Sequence, residues 1–270
     1  MKVHIKIYGE RNLDNSSLEL FTMCNRLLSE STEIDITDHS PDIVHLFGCP
    51  DNSLLATADH FRKAEVPVVY SPLGAFMLTE KKIKADFALI HTLGPKEGEI
   101  IGKRASKTKI ITFPSPILTP VTPEAFLSFL METYKDVIQQ YDDKIKENIE
   151  RHVNTTIAHH IESLPDRVMS SYEDEKDILF RILYIRHMLK RNTLPRELLS
   201  DLATRLQSCD IDEPELGVLA KKLSCQKLLR RIVYCLASEE LTTEGYFPGA
   251  PLADKKAEQM NKIINEPNEV

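Results

Sequence analysis

The first 119 residues alternate between two apolar periods. Val3, Ile5 and Ile7 are apolar at every second position, which predicts a strand. Leu18, Phe21, Cys24, Leu27 and Leu28 then recur at helical spacing, and Ser16 with Glu19 has the spacing of a capping box. A short strand over Glu33–Thr37 follows, then apolar runs at Asp42–Phe47, Val66–Tyr70, Phe87–His91 and Lys109–Phe113. A helix from Asn52 to about Ala64 and a shorter one after Pro95 separate them. β-branched runs alternating with helical segments predict a parallel sheet with crossover helices. Such sheets hold ligands where their strands end, here just after Phe47, Tyr70 and Ile90.

Pro114, Pro116, Pro120 and Pro123 interrupt this pattern. Proline removes a ladder donor and pushes its predecessor out of the helical region, so regular structure stops and a boundary is expected near Thr119. Beyond it the apolar period is helical throughout. One long helix or two are expected over Glu124–Thr155, and another over Ser171–Asn192 with Ser171 and Asp174 as its cap. Pro195–Cys209, Glu213–Leu241 and Ala253–Asn265 follow as further helices. The fold class is therefore α/β: a Rossmann-like, mainly parallel sheet over residues 1–119, followed by an all-α domain over residues 120–270.

Two domains also suit a length of 270 residues. Net charge is −7, and residues 1–120 and 121–270 carry 14 and 20 basic against 15 and 26 acidic side chains. That balance is not the footprint of a nucleic-acid binder. Cys24, Cys49, Cys209, Cys225 and Cys235 form no C-x-x-C pair, which predicts reduced thiols in a cytoplasmic protein. No uncharged apolar stretch approaches the roughly 18 residues of a membrane span.

The sequence runs PDIVHLFG, VPVVYSPLGAF, ADFALIHTLGPKEGEII and KIITFPSPILTP, in that order. In this it resembles the N-terminal, acceptor-side domain of GT-B fold glycosyltransferases, especially retaining family 4, over residues 1–120. The resemblance implies a Rossmann-like fold with a site at the strand ends. There it points to Gly9, Arg11, Asn12, Gly48, Ser71, Leu73, Gly74, His91 and Thr92 as ligand-binding positions. It also implies three features that this chain lacks. The loop after the first strand has only Gly9, followed by Glu10, which would repel a donor diphosphate, and Arg11, which would offset it. Leu73 stands where many members carry a histidine before the glycine, and leucine can neither donate nor accept a hydrogen bond. Residues 121–270 lack the strand-turn-helix alternation and glycines of a second, nucleotide-sugar domain.

His45 and His91 remain as strand histidines able to line the crevice, with His91 the better placed. A hydrogen-bonded structural role competes, because no carboxylate or cysteine stands at ligand spacing. His159 and His160 are adjacent and point about 100° apart on a helix, so they cannot chelate one metal. Phosphate-loop, dinucleotide and nucleophile-elbow motifs are absent. Lys81, Lys82 and Lys84, and Lys103, Arg104, Lys107 and Lys109, form basic clusters that suit an anionic surface or simply solvated surface. The loop with Tyr246 and Phe247 is expected to pack on the helices or on a partner.

The expectation is a glycosyltransferase-related protein without catalytic residues, cofactor or metal of its own. It would bind a glycan, a lipid-linked sugar acceptor or, through its helical domain, a protein partner. The alternatives are a transferase whose donor site another chain supplies, and a helical interaction module on an α/β scaffold.

Overall fold

In a computed structural model of the chain, which describes residues 1–75, 86–105, 108–117, 119–164, 167–239 and 249–265, the early alternation becomes six strands. The elements are β1 (Lys2–Tyr8), α1 (Asn15–Glu30), β2 (Asp35–Ile36), β3 (Ile43–Gly48), α2 (Asn52–Lys63), β4 (Val68–Ser71), β5 (Leu89–Thr92), α3 (Pro95–Arg104) and β6 (Ile110–Thr112). All pairings are parallel, in the order β2-β1-β3-β4-β5-β6. Lys81, Lys82, Lys84, Lys107, Tyr246 and Phe247 lie outside the described residues.

Period-two alternation gives the sheet two apolar faces. Val3, Ile43, Phe47, Val69 and Leu89 pack with Leu20, Cys24 and Leu28 of α1. Val44, Leu46, Val68, Tyr70 and Ile90 pack with Leu54 and Ala58 of α2 and Ile101 of α3. β3, central to both layers, is buried at every position, which explains its near-continuous apolar run. The cap of α1 is Asp14, whose carboxylate accepts the Ser17 N–H at 2.7 Å, rather than the expected Ser16.

The sheet ends at Thr112, but the first compact unit is Met1–Asp142 and the second Asp143–Val270. This differs from a boundary near Thr119 for a definite reason. A single helix, α4 (Pro123–Ile161), follows the prolines, and Phe126, Leu130, Tyr134 and Val137 on it belong to the same core as Val3 and Phe47.

The second unit is helical among its described residues, with α5 (Glu173–Lys190), α6 (Arg196–Ser208), α7 (Glu213–Lys222), α8 (Gln226–Ser238) and α9 (Lys255–Asn265) around a core that includes Ile178, Ile182, Leu202, Leu219, Ile232 and Met260. The expected helix from Glu213 is two helices. Ser224 takes φ +54°, its N–H reaches Lys221 O at 3.0 Å, and the Cys225 N–H reaches Ala220 O at 2.8 Å, a Schellman stop between α7 and α8. The same motif ends α2 at Glu65 and α5 at Asn192, so the usual glycine signal is absent from all three stops. No helix among the described residues is long and apolar enough to cross a membrane.

A Cβ at Gly48, where φ is +98°, would lie 2.2 Å from Tyr8 O. At Gly74, with φ +76°, nothing lies within 4 Å. Gly74→Ala should therefore cost only the backbone term of about 1 kcal/mol, and Gly48→Ala about 3 kcal/mol or more because backbone must move as well. Urea unfolding of the two variants checks this; equal losses would show that the contact at Gly48 relaxes freely.

Candidate functional site

A doubly wound sheet places its natural crevice where strand order reverses, here between the carboxyl ends of β1 and β3. Gly9 and Gly48, two of the candidate residues, meet at this point, and what they approach is chain rather than open space. The Cys49 N–H donates to Tyr8 O at 3.0 Å. A Cβ on Gly9, which has φ +66°, would fall 2.5 Å from Cys49 Cβ. Tyr70 seals the same corner by donating its hydroxyl to Gly48 O at 2.9 Å. Arg11 and Asn12 are exposed on a one-turn 3₁₀ helix, Glu10–Asn12, directly after Gly9.

The ends of β4 and β5 are held by the chain's own polar groups. Leu73 is buried in the apolar core at φ +51°, a conformation that costs a non-glycine residue energy. Its carbonyl accepts the Ser17 hydroxyl at 2.9 Å, tying the loop after β4 to the start of α1. Gly74 is exposed, and its N–H donates to Glu97 Oε1 at 2.7 Å. Glu97 Oε2 accepts the Leu93 N–H at 2.8 Å. Glu97 is the third residue of α3, where a carboxylate is favoured by the amide ends and dipole of the helix. Burial pushes its carboxyl pKa up, against the pull of the two amide donors.

The most unusual feature lies deeper, on the face of the sheet that Tyr134 covers. His45 Nδ1 is 2.5 Å from the Tyr134 hydroxyl, and His45 Nε2 is 2.7 Å from Ser71 Oγ. Ser71 Oγ is 3.0 Å from His91 Nδ1, and His91 Nε2 is 3.3 Å from Phe113 O. Burial holds the His45 pKa well below its usual value, and the neighbouring His91 adds to the effect. Burial likewise lowers His91, to about 4. Both rings are therefore neutral at neutral pH, and each carries one N–H.

One proton arrangement then satisfies every group. Phe113 O can only accept, so His91 carries its proton on Nε2 and accepts from the Ser71 hydroxyl through Nδ1. Ser71 Oγ in turn accepts the His45 Nε2–H, which leaves His45 Nδ1 to accept from Tyr134. The chain is directional from phenol to carbonyl. His45 stacks on Phe47 at 3.9 Å between ring centres, and His91 sits among Phe126 and Phe129. Ser71 and His91 resemble a nucleophile and its base in their bond alone: Ser71 is 0 % and His91 2 % exposed, so neither is open to a substrate. Thr92 is also buried, sharing a 2.7 Å hydrogen bond with the Thr112 hydroxyl.

The nine candidate positions thus separate. Gly9 and Gly48 meet at the switch point with Arg11 and Asn12 beside them, Leu73 and Gly74 shape the loop after β4, and Ser71, His91 and Thr92 are buried in polar contacts. Sequence reasoning missed Tyr134 and Glu97. Glu97 follows Gly94 and Pro95 at a helix start, and Tyr134 continues the stripe Phe126–Leu130 at four-residue spacing, so each had a local signal. His160 is bound by Glu215 at 2.5 Å and Lys222 at 2.8 Å, and no group of three metal-ligating side chains is found among the described residues. All five cysteines are free thiols, four of them buried. No family model matches this chain, and no curated protein and no solved structure matches it.

The neutral histidines make stability depend on pH. Each imidazole takes up its proton less readily folded than unfolded, so the unfolded chain is favoured as pH drops below about 6.5, and the full stability is present above that value. His91, at about 4, contributes a loss of about 3 kcal/mol across this window, and His45 adds to it. Glutamine reproduces the roles of His91, accepting through its oxygen and donating through its amide, without titrating. His91→Gln should flatten the fall in urea midpoint between pH 6.5 and 4; a slope equal to that of the unaltered chain would contradict the assignment.

Proposed function

We propose that this chain is a glycosyltransferase-related protein of the cytoplasm that lacks transferase activity and acts by binding a glycan, a lipid-linked acceptor or a partner protein. The relationship is to the acceptor-side domain of GT-B glycosyltransferases and is supported by the ordered runs PDIVH, VPVVYSPLG and ADFALIH within one parallel sheet. The observation that carries the absence of catalysis is the closed switch point: Gly9 lies against Cys49, and the Cys49 amide is spent on Tyr8 O. A diphosphate needs free amides at that place.

Two further contacts support the reading. The Gly74 and Leu93 amides are taken by the Glu97 carboxylate, whose charge opposes a phosphate. Leu73, at the position where a sugar-contacting histidine is expected, is core. Replacing it with histidine supplies neither the positioning nor the charge stabilisation that transfer to an acceptor requires.

Titration of sugar nucleotides into the purified chain should give binding no tighter than about millimolar, about 4 kcal/mol. Neither transfer nor donor hydrolysis should be measurable, with or without Leu73→His. Micromolar affinity for a sugar nucleotide, or turnover by the chain alone, would overturn this reading in favour of an active transferase.

A further inference from the structure

The helical unit has a cleft of about 460 Å³ lined by the last turn of α5 together with α8 and α9. Its volume falls in the range of small-molecule sites, about 300–1,000 Å³. Two chemistries share its wall. Leu228, Met260 and Ile263 supply apolar surface. Arg186, Arg231 and Lys256 supply cations, and no carboxylate is among the described lining residues, although the chain as a whole carries −7. Arg231 is fixed by Asp254, with Nε and the terminal nitrogen at 2.9 and 2.7 Å from its two oxygens, so part of the positive charge is compensated there.

We propose that this cleft binds a single-chain phosphate amphiphile, its head group on the cationic side chains and its hydrocarbon on the apolar ones. Charge complementarity selects an anion, and the apolar residues select against a fully hydrated one such as free phosphate. A phosphate monoester carries close to two negative charges at neutral pH against one on a carboxylate, so several cations on one wall favour phosphate as the head. The described lining residues all belong to the helical unit, and the proposal stands without the glycosyltransferase reading.

The test is calorimetry on the full chain with decyl phosphate below its micellar concentration, against decyl maltoside, decanoate and inorganic phosphate. One decyl phosphate per chain should bind at micromolar Kd, with each comparator weaker by about tenfold or more. The double substitution Lys256→Glu with Gln259→Glu alters exposed positions of α9 and should weaken decyl phosphate by at least about tenfold while leaving the thermal transition in place. Equal affinity for the neutral maltoside or for decanoate, no binding at millimolar decyl phosphate, or undiminished binding by the folded double variant would each overturn the proposal. The sugar-nucleotide titration is unaffected by any of these results.

Discussion

One face of the sheet in the α/β unit is arranged around a polar chain that it cannot expose and cannot leave unpaired. Tyr134, His45, Ser71, His91 and the Phe113 carbonyl use their hydrogen-bonding capacity on one another within an otherwise apolar layer. A buried polar group without a partner costs about 1–3 kcal/mol, and the loss spreads because each member fixes the proton of the next. His45, Ser71 and His91 lie on three neighbouring strands, and parallel pairing with His45 opposite Val69 and Tyr70 opposite Ile90 leaves their side chains within hydrogen-bonding reach on one face. The phenol of Tyr134 closes the chain, which is why the start of α4 belongs with the sheet despite the prolines before it.

The same economy governs the strand ends. Where doubly wound proteins leave amides free for a ligand, this chain uses them internally: Cys49 with Tyr8, and Gly74 and Leu93 with Glu97. Its glycines serve close approach of backbone to backbone at Gly48 and of backbone to Cys49 at Gly9. A glycine at a strand end is therefore no evidence for a phosphate site until its neighbour is known. Cationic and apolar groups instead share a cleft in the helical unit.

The strands were legible in the sequence because β-branched runs such as Ile43–Gly48 are buried on both sides and helical segments separate them. Their carboxyl ends fall one residue further along than the apolar runs at Gly48, Ser71 and Thr92, since small and polar residues continue a ladder once buried polar partners exist. Helix stops were harder to read. Glu65, Asn192 and Ser224 adopt the left-handed stop position that glycine usually announces, and at Ser224 this divides what reads as one amphipathic helix. The site was legible only in part. Local spacing locates His45 and His91 on strands and Ser71 just past the end of one, but their partnership with Tyr134, 89 residues beyond His45, is a tertiary fact that no local pattern encodes.

The directional chain makes a statement about individual protons, and nitrogen-15 chemical shifts of the imidazoles at neutral pH read it directly. His45 and His91 should both appear as neutral rings protonated on Nε2, each with a slowly exchanging proton, because Ser71 and Phe113 respectively accept from that nitrogen. Either ring found charged, or carrying its proton on Nδ1, would contradict the account of how this unit holds itself together.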